Sequence, residues 1–276
     1  MFHRLENVHV SKSSEMTNVA NIRLLRRFVI PILRRFGDRN LTIKHPLTGS
    51  PLCLHAFKHK GYWFHGADRE KETLQFISKI VKPGIRIFDI GAHIGYLTCL
   101  FAKLTGRSGT VIAFEPGINN VPYLKRNTSL FPNVRIEEFA VSNQTGTAEF
   151  LVEDLSGQNN SLVLEARLLD QVSSNAFCSP NTQVLSVPTI TLDDYCERTQ
   201  CYPDLMKIDT EGAEFMILSG ATNVLSKKPI LIVEVTEHRE QALELLWGAR
   251  YVVLNEDKTR IRRVEDLKTV NIFCLP

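Results

Sequence analysis

The run Ile85-Arg-Ile-Phe-Asp-Ile-Gly-Ala-His-Ile-Gly-Tyr-Leu-Thr98 constrains the fold more than any other part of the chain. An apolar stretch of strand length meets an acid, then two glycines separated by three residues, then a helical pattern. A buried strand that turns sharply into a helix opens a doubly wound α/β sheet, where ligands bind beyond the strand carboxyl ends at the point where strand order reverses. Gly91 lets backbone approach a ligand closely, and Gly95 lets the next helix pack near the strand. Asp89 sets a carboxylate at the mouth of that crevice.

The remaining apolar runs agree with such a sheet. Ile85–Ile90, Thr110–Phe114, Val134–Val141, Leu205–Ile208, Ile230–Val235, Tyr251–Leu254 and Val270–Leu275 alternate with helical segments. They lack the in-out alternation of a half-exposed sheet, so strands covered by helices on both faces are expected, mostly parallel. The link between the last two runs is too short for a crossover helix, which makes the final strand antiparallel to its neighbour. A turn-rich insert spans Thr147 to Pro188, with Ser156–Gly157 and Asn159–Asn160 at its turns. A helix from Asp68 to Val81 ends at Pro83–Gly84.

This organisation divides the chain into an N-terminal extension, residues 1–66, and a domain over residues 67–276. The extension reads as a polar tail, a basic amphipathic helix over residues 18–36 and a β-hairpin over Leu41–Ala56 that turns at Pro46–Pro51. Arg23, Arg26, Arg27, Arg34 and Arg35 share one arc of the helix, and Leu25, Phe28, Val29, Ile32, Leu33 and Phe36 fall largely on the other, with a kink at Pro31. Two destinations stay open for its apolar face: the main domain, or an anionic membrane surface.

A net charge of +3 is too small to name a nucleic-acid partner. No stretch reaches the ~20 apolar residues of a spanning helix, and the first ten residues lack a signal-peptide core. The six cysteines form neither a C-x-x-C pair nor a zinc spacing, so a reducing cytoplasmic setting is expected, peripheral to the inner membrane surface if the basic helix binds there.

The glycine loop must be weighed against a dinucleotide site. That fingerprint is G-x-G-x-x-G, and here the spacing differs and an acid precedes the first glycine. Asp89 would repel a pyrophosphate, whereas S-adenosylmethionine offers an ammonium and a sulfonium that a carboxylate helps to hold. Glu115 ends the second strand in Val111-Ile-Ala-Phe-Glu-Pro116, where an acid accepts hydrogen bonds from both hydroxyls of an adenosine ribose. The expected donor-binding set is Asp89, Gly91, Ala92, His93, Gly95, Glu115 and Pro116. Tyr96 and His93 also have structural readings, as a helix-face aromatic and a lone histidine.

These residues resemble the FkbM-type methyltransferases from about Lys82 to Glu237. The resemblance rests on Phe88-Asp-Ile-Gly-Ala-His-Ile-Gly-Tyr-Leu-Thr98, Ala113-Phe-Glu-Pro116 with Leu124 and Asn127, and Ala140-Val-Ser142 with Gly146. Asn160-Ser-Leu162, Thr191-Leu-Asp-Asp194, Gly220–Ala221 and Glu234 extend it. Its most specific block is Lys207-Ile-Asp-Thr-Glu-Gly-Ala-Glu214. The resemblance implies a seven-stranded, Rossmann-like class I methyltransferase sheet, a donor held by Asp89, the Gly91 loop and Glu115, and O-methylation of a sugar, glycolipid or other natural product. The family often has asparagine where His93 stands. No Asn/Asp-Pro-Pro-aromatic block and no Pro-Cys pair is present, so a glycan or other small molecule is the expected acceptor, not a nucleobase.

Residues two apart along a strand share a side, which groups Lys207, Asp209 and, if the strand persists, Glu211. A central-strand lysine is costly to bury unpaired, and Asp89 or Glu234 on neighbouring strands is its expected partner. Methyl transfer to a hydroxyl needs in-line alignment and removal of the hydroxyl proton. The candidate catalytic set is therefore Asp209, Glu211, Lys207 and Glu234, with Asp209 or Glu211 as base and His238 as an outside candidate. A buried ion-pair network that only shapes the sheet is the structural alternative. No metal ligand is assigned, although the acidic trio with waters would also suit magnesium. The Asn159–Asn160–Ser161 insert is the expected acceptor-binding lid. Two other functions compete. Retention of Asp89, Glu115 and the acidic block disfavours a silent cofactor-binding scaffold, and the glycine spacing disfavours an NAD-dependent oxidoreductase.

Overall fold

The computed structural model describes residues 37, 39–64, 71–153, 160–162 and 182–276. The expected tail, the basic helix over 18–36, residues 68–70, Asn159 and Cys178 lie outside the described residues. The chain begins with strands β1 (Asn40–Lys44) and β2 (Pro51–His55), a short helix α1 (Lys60–Phe64) and α2 (Lys71–Ile80). There follow β3 (Arg86–Ile90), α3 (Tyr96–Thr105), β4 (Thr110–Phe114), α4 (Val121–Thr128), β5 (Val134–Glu137) and β6 (Ala140–Val141). Next are β7 (Gly146–Glu153), β8 (Ser161–Leu162), β9 (Thr182–Ile190), α5 (Leu192–Thr199), β10 (Leu205–Ile208), α6 (Glu214–Ser219) and α7 (Thr222–Ser226). The chain closes with β11 (Ile230–Glu234), α8 (Arg239–Gly248), β12 (Val252–Asn255) and β13 (Asn271–Leu275).

The main sheet has seven strands in the order β12-β13-β11-β10-β3-β4-β5. Neighbours from β11 to β5 are parallel, and β13 runs antiparallel to both β11 and β12. The expected α/β class, mostly parallel sheet and reversed final strand are all present. Strand order reverses between β3 and β10, so the crevice beyond their carboxyl ends is the switch point of a doubly wound fold.

Burial on both faces explains the continuous apolar runs. Ile87, Val111, Leu205, Ile232 and Phe273 pack with the hairpin, α2 and α3, while their neighbours Phe88, Ile112, Met206, Leu231 and Cys274 pack on the opposite face with α5 to α8. Successive side chains therefore enter different but equally dry layers.

Two expectations need correction. The run Val134–Val141 is not one strand: β5 continues the main sheet, whereas β6 pairs with β9 in a second sheet of order β6-β9-β7-β8. Between them Phe139 turns inward against Phe114 and Tyr195, and the chain leaves the first sheet there. The insert is also more regular than its turns suggested, because β7 and β9 pair antiparallel along eight residues from Gly146↔Thr189 to Glu153↔Thr182.

The hairpin of the extension is docked. Leu52 and Leu54 are buried in one cluster with Leu97 and Phe101, and the Asn127 carboxamide holds Cys53 by accepting from its N–H (2.6 Å) and donating to its carbonyl (2.9 Å). Among the described residues no helix is long and apolar enough to cross a membrane. Cys53, Cys99, Cys196, Cys201 and Cys274 are free thiols.

Candidate active site

A cleft enclosing about 220 Å³ opens at the carboxyl ends of β3, β4, β10 and β11. It is lined by Asp89, Gly91, Ala92, His93, Glu115 and Pro116 on one side and by Lys207, Asp209, Glu211 and Glu234 on the other. The two sets that the sequence separates by ninety residues thus meet in one crevice.

On the β3 side, Asp89 is buried and its Oδ2 accepts from the Thr98 hydroxyl (2.6 Å) on the first turn of α3. The backbone then rises into a tight loop. Gly91 has φ +80°, and a Cβ added there would lie 1.8 Å from the Asp209 carbonyl oxygen, so only glycine fits. His93 also occupies left-handed space, with φ 52°. Histidine and asparagine are among the residues that tolerate this conformation. Gly95 departs from its expected role: a Cβ there would meet Leu124 Cδ1 at 2.8 Å, so this glycine makes room for α4, not for the strand.

Glu115 is buried and accepts three hydrogen bonds, from His93 N–H (2.8 Å), Gly117 N–H (2.9 Å) and Asn120 Nδ2 (3.1 Å). Burial nevertheless pushes its carboxyl up to about 7, against the lowering effect of those donors. Beyond it the apolar side chains of Phe139, Val141, Phe150 and Leu162 complete the wall. A carboxylate at the end of β3, a glycine cradle, a second carboxylate at the end of β4 and an apolar slot fit the chemistry of S-adenosylmethionine, which has a cationic amino-acid end, a ribose and a flat base.

On the β10 side, Lys207 sits opposite Asp89 in the ladder and forms an ion pair with Asp209, just past the end of its own strand (Nζ to Oδ2 2.7 Å). Asp209 thus joins Asp89 and Glu234, the partners expected from neighbouring strands, around this ammonium. Burial alone would raise the Asp209 carboxyl, but the Lys207 ammonium and a hydrogen bond from Glu234 outweigh it and hold Asp209 below its usual range. Glu234 moves the other way, raised by burial and by the Asp209 charge. Asp209 thus favours its charged form and Glu234 its neutral one, as expected of two carboxyls at one site.

Glu211 is not on the strand face, because β10 ends at Ile208 and Glu211 turns with φ 53°. It still lines the cleft, and burial followed by repulsion from Asp209 pushes its carboxyl up to about 7. Sequence reasoning missed the role of Glu214. Its fully buried Oε1 accepts from Thr210 N–H (3.1 Å), Thr210 Oγ1 (3.1 Å) and Gly212 N–H (3.0 Å), and Oε2 accepts from Thr236 Oγ1 (3.1 Å). This one carboxylate fixes the turn that presents Asp209 and Glu211; its spacing at the end of the Lys207–Glu214 block was the available signal.

Among the described residues no group of three or more His, Cys, Asp or Glu side chains is placed to hold a metal ion, so nothing in the site supports the magnesium option. His238 caps α8 on the surface with its ring 5.9 Å from Phe215, and it does not line the cleft. Asn160 lines the cleft and reaches the Glu115 end, where a Cβ on Gly117 would lie 2.5 Å from Glu115 Oε1 and 2.6 Å from Asn160 Nδ2. Tyr62, Asn120 and Asn271 also line the cleft and were not singled out by sequence.

Comparison with known proteins agrees with this geometry. The chain is 23% identical over 201 residues to the hexuronic acid methyltransferase AglP of Haloferax volcanii, covering 71% of this chain and 74% of that protein. It is 25% identical over 170 residues to the 2-O-methyltransferase NoeI of Sinorhizobium fredii, covering 59% and 68%. A shorter match, 41% identical over 124 residues and covering 45% and 46%, is to protein-L-isoaspartate O-methyltransferase 1 of Arabidopsis thaliana. Residues 89–261, from the donor-loop carboxylate past the acidic block, match the methyltransferase FkbM domain, and the chain belongs to this family of S-adenosylmethionine-dependent methyltransferases.

Proposed function

We propose that the protein transfers a methyl group to a hydroxyl of a carbohydrate or glycolipid, with Asp209 as the general base. The observation that carries this reading is the Lys207–Asp209–Glu234 arrangement, a carboxylate paired with an ammonium at 2.7 Å and lining, beside a second acid, the same cleft as the glycine cradle. S-adenosylmethionine supplies a methyl carbon already activated by its sulfonium. Asp89 holds the amino-acid end of the donor, and Glu115 accepts from the ribose hydroxyls. Asp209 accepts the acceptor hydroxyl's proton while Lys207 and Glu234 keep its lone pairs oriented into the cleft. The name of one long relative, a hexuronic acid methyltransferase, supports a saccharide acceptor, and that of the other, a 2-O-methyltransferase, supports transfer to an oxygen.

The test pairs donor binding with turnover. Calorimetry should show S-adenosylmethionine binding and no NAD binding, and labelled donor offered a panel of glycans and glycolipids should release methyl to at least one. Asp209→Ala should abolish that transfer with donor affinity within about twofold of wild type. Normal transfer by Asp209→Ala would reject the base assignment.

A further inference from the structure

The extension supplies a side chain to the donor loop. Tyr62, on α1, is buried, and its hydroxyl lies 2.9 Å from His93 Nδ1. Its ring stacks on His93 (centroids 5.8 Å, planes 20° apart) and tilts against Tyr96 (5.1 Å), so it is clasped by the two aromatic residues that flank Ile94 and Gly95. Below them, the buried ring of His59 meets Tyr62, His93 and Tyr123 edge-on at 6.5, 5.4 and 4.8 Å. On the far side His45 stacks on Tyr96 (4.4 Å, 15°) and its Nε2 bonds the Tyr96 carbonyl (2.9 Å). All of these contacts except His59–Tyr62 join residues 45–62 to the 91–96 turn or to α4.

His93 carries the contact onward. Its backbone N–H donates to Glu115 Oε2 at 2.8 Å, so a path of two hydrogen bonds runs from the Tyr62 hydroxyl, through one residue in left-handed conformation, to the carboxylate at the end of β4. Tyr62 and His93 both line the cleft. A loop that must hold a left-handed non-glycine residue is strained, and strain of this kind persists only where surrounding contacts over-determine it. Tyr62 is such a contact.

We propose that Tyr62 is a donor-positioning residue: the extension completes the S-adenosylmethionine site by locking His93, and through it the loop and Glu115, in the binding conformation. The proposal rests on Glu115 as the ribose acceptor. It also assigns the histidine in place of asparagine a specific task, since an imidazole reaches Tyr62 and keeps the left-handed backbone.

The experiment is a double-mutant cycle read by calorimetric titration of S-adenosylmethionine and, separately, S-adenosylhomocysteine. Tyr62→Phe keeps the ring and removes one hydrogen bond. It should weaken both ligands by about 3- to 10-fold, while the melting temperature of the donor-free protein changes little. His93→Asn retains the backbone conformation, removes the same bond and should show a similar loss. The double variant should be no weaker than either single one. Unchanged affinity in Tyr62→Phe would overturn the proposal, as would a lowered melting temperature without an affinity change. Additive losses would equally overturn it, because Tyr62 would then not act through His93. Glu115→Ala is the control for the underlying reading: if it binds donor normally, the donor-site assignment fails, whatever Tyr62 does.

Discussion

Gly91 and Asp209 approach so closely that a single methyl group between them would lie 1.8 Å from a backbone oxygen. The two residues follow β3 and β10, the strands on either side of the switch point, and their closeness leaves no room for a side chain on the loop. Gly91→Ala should therefore combine the cost of a left-handed alanine, about 1–3 kcal/mol, with forced separation of the two strand ends. The expected result is loss of measurable donor binding together with a lower melting temperature. Wild-type affinity in this variant would show that the loop is not where the donor lies.

Glu115 predicts a pH dependence. Its carboxyl is pushed up to about 7, and only the ionised form can accept from both ribose hydroxyls. Donor affinity should then fall as pH drops through 7, by about tenfold per unit well below it. In the donor-free protein the sign reverses. A carboxyl raised from 4.5 to about 7 stabilises the fold fully below 4.5 and loses that contribution as pH rises to 7, an effect of about 3 kcal/mol at most. Calorimetry from pH 5.5 to 8.5 checks the first part, and Glu115→Gln should flatten the profile. A flat profile in wild type would refute the assignment.

The opposite shifts of Asp209 and Glu234 separate two substitutions that look alike. Glu234 is raised by burial and by the Asp209 charge, so Glu234→Gln, a neutral group able to donate toward Asp209, should retain most turnover. Glu234→Ala removes that donor and should lower turnover about tenfold or more. Lys207→Met should move the acid limb of the pH–rate profile upward, because the ammonium that holds Asp209 low is gone. Equal activity in Glu234→Gln and Glu234→Ala would remove the hydrogen bond from the mechanism.

Replacing Glu214 with alanine should be costly to the fold. Two backbone N–H groups and two hydroxyls would lose their acceptor in a partly buried turn, at up to about 1–3 kcal/mol for the buried Gly212 N–H and less for the partly exposed groups. Thermal melting should show a drop of several degrees, and turnover should fall because Asp209 is no longer held. A wild-type melting curve would mean that the turn is fixed by other contacts.

Much of this was legible in the chain because burial on both faces leaves a plain mark. Residues 85–90, 110–114, 205–208 and 230–234 read as strands without alternation, and Asp89, Gly91 and Glu115 stood out because each breaks an apolar run at its carboxyl end. What could not be read depended on contacts distant in sequence. Nothing local says that Lys207 pairs with Asp209, since that contact is made only because the chain turns where β10 ends. The break of Val134–Val141 into two sheets is set by Phe139 finding Phe114 and Tyr195. Tyr62 was invisible for the same reason: in sequence it lies in the extension, and only folding places it on His93.

Asn127 carries a last consequence. Its side chain binds both Cys53 on β2 and the Ile94 carbonyl (2.8 Å) in the donor loop, from a single buried position on α4. Hairpin, loop and helix therefore belong to one cooperative folding unit, and hydrogen exchange at Cys53 should report the same opening free energy as at the 91–96 turn. Expression boundaries drawn at the start of the family match, near residue 89, would strip Leu52 and Leu54 out of the interior and leave an amide on α4 unsatisfied. A truncation placed there would yield an insoluble fragment, not a minimal enzyme.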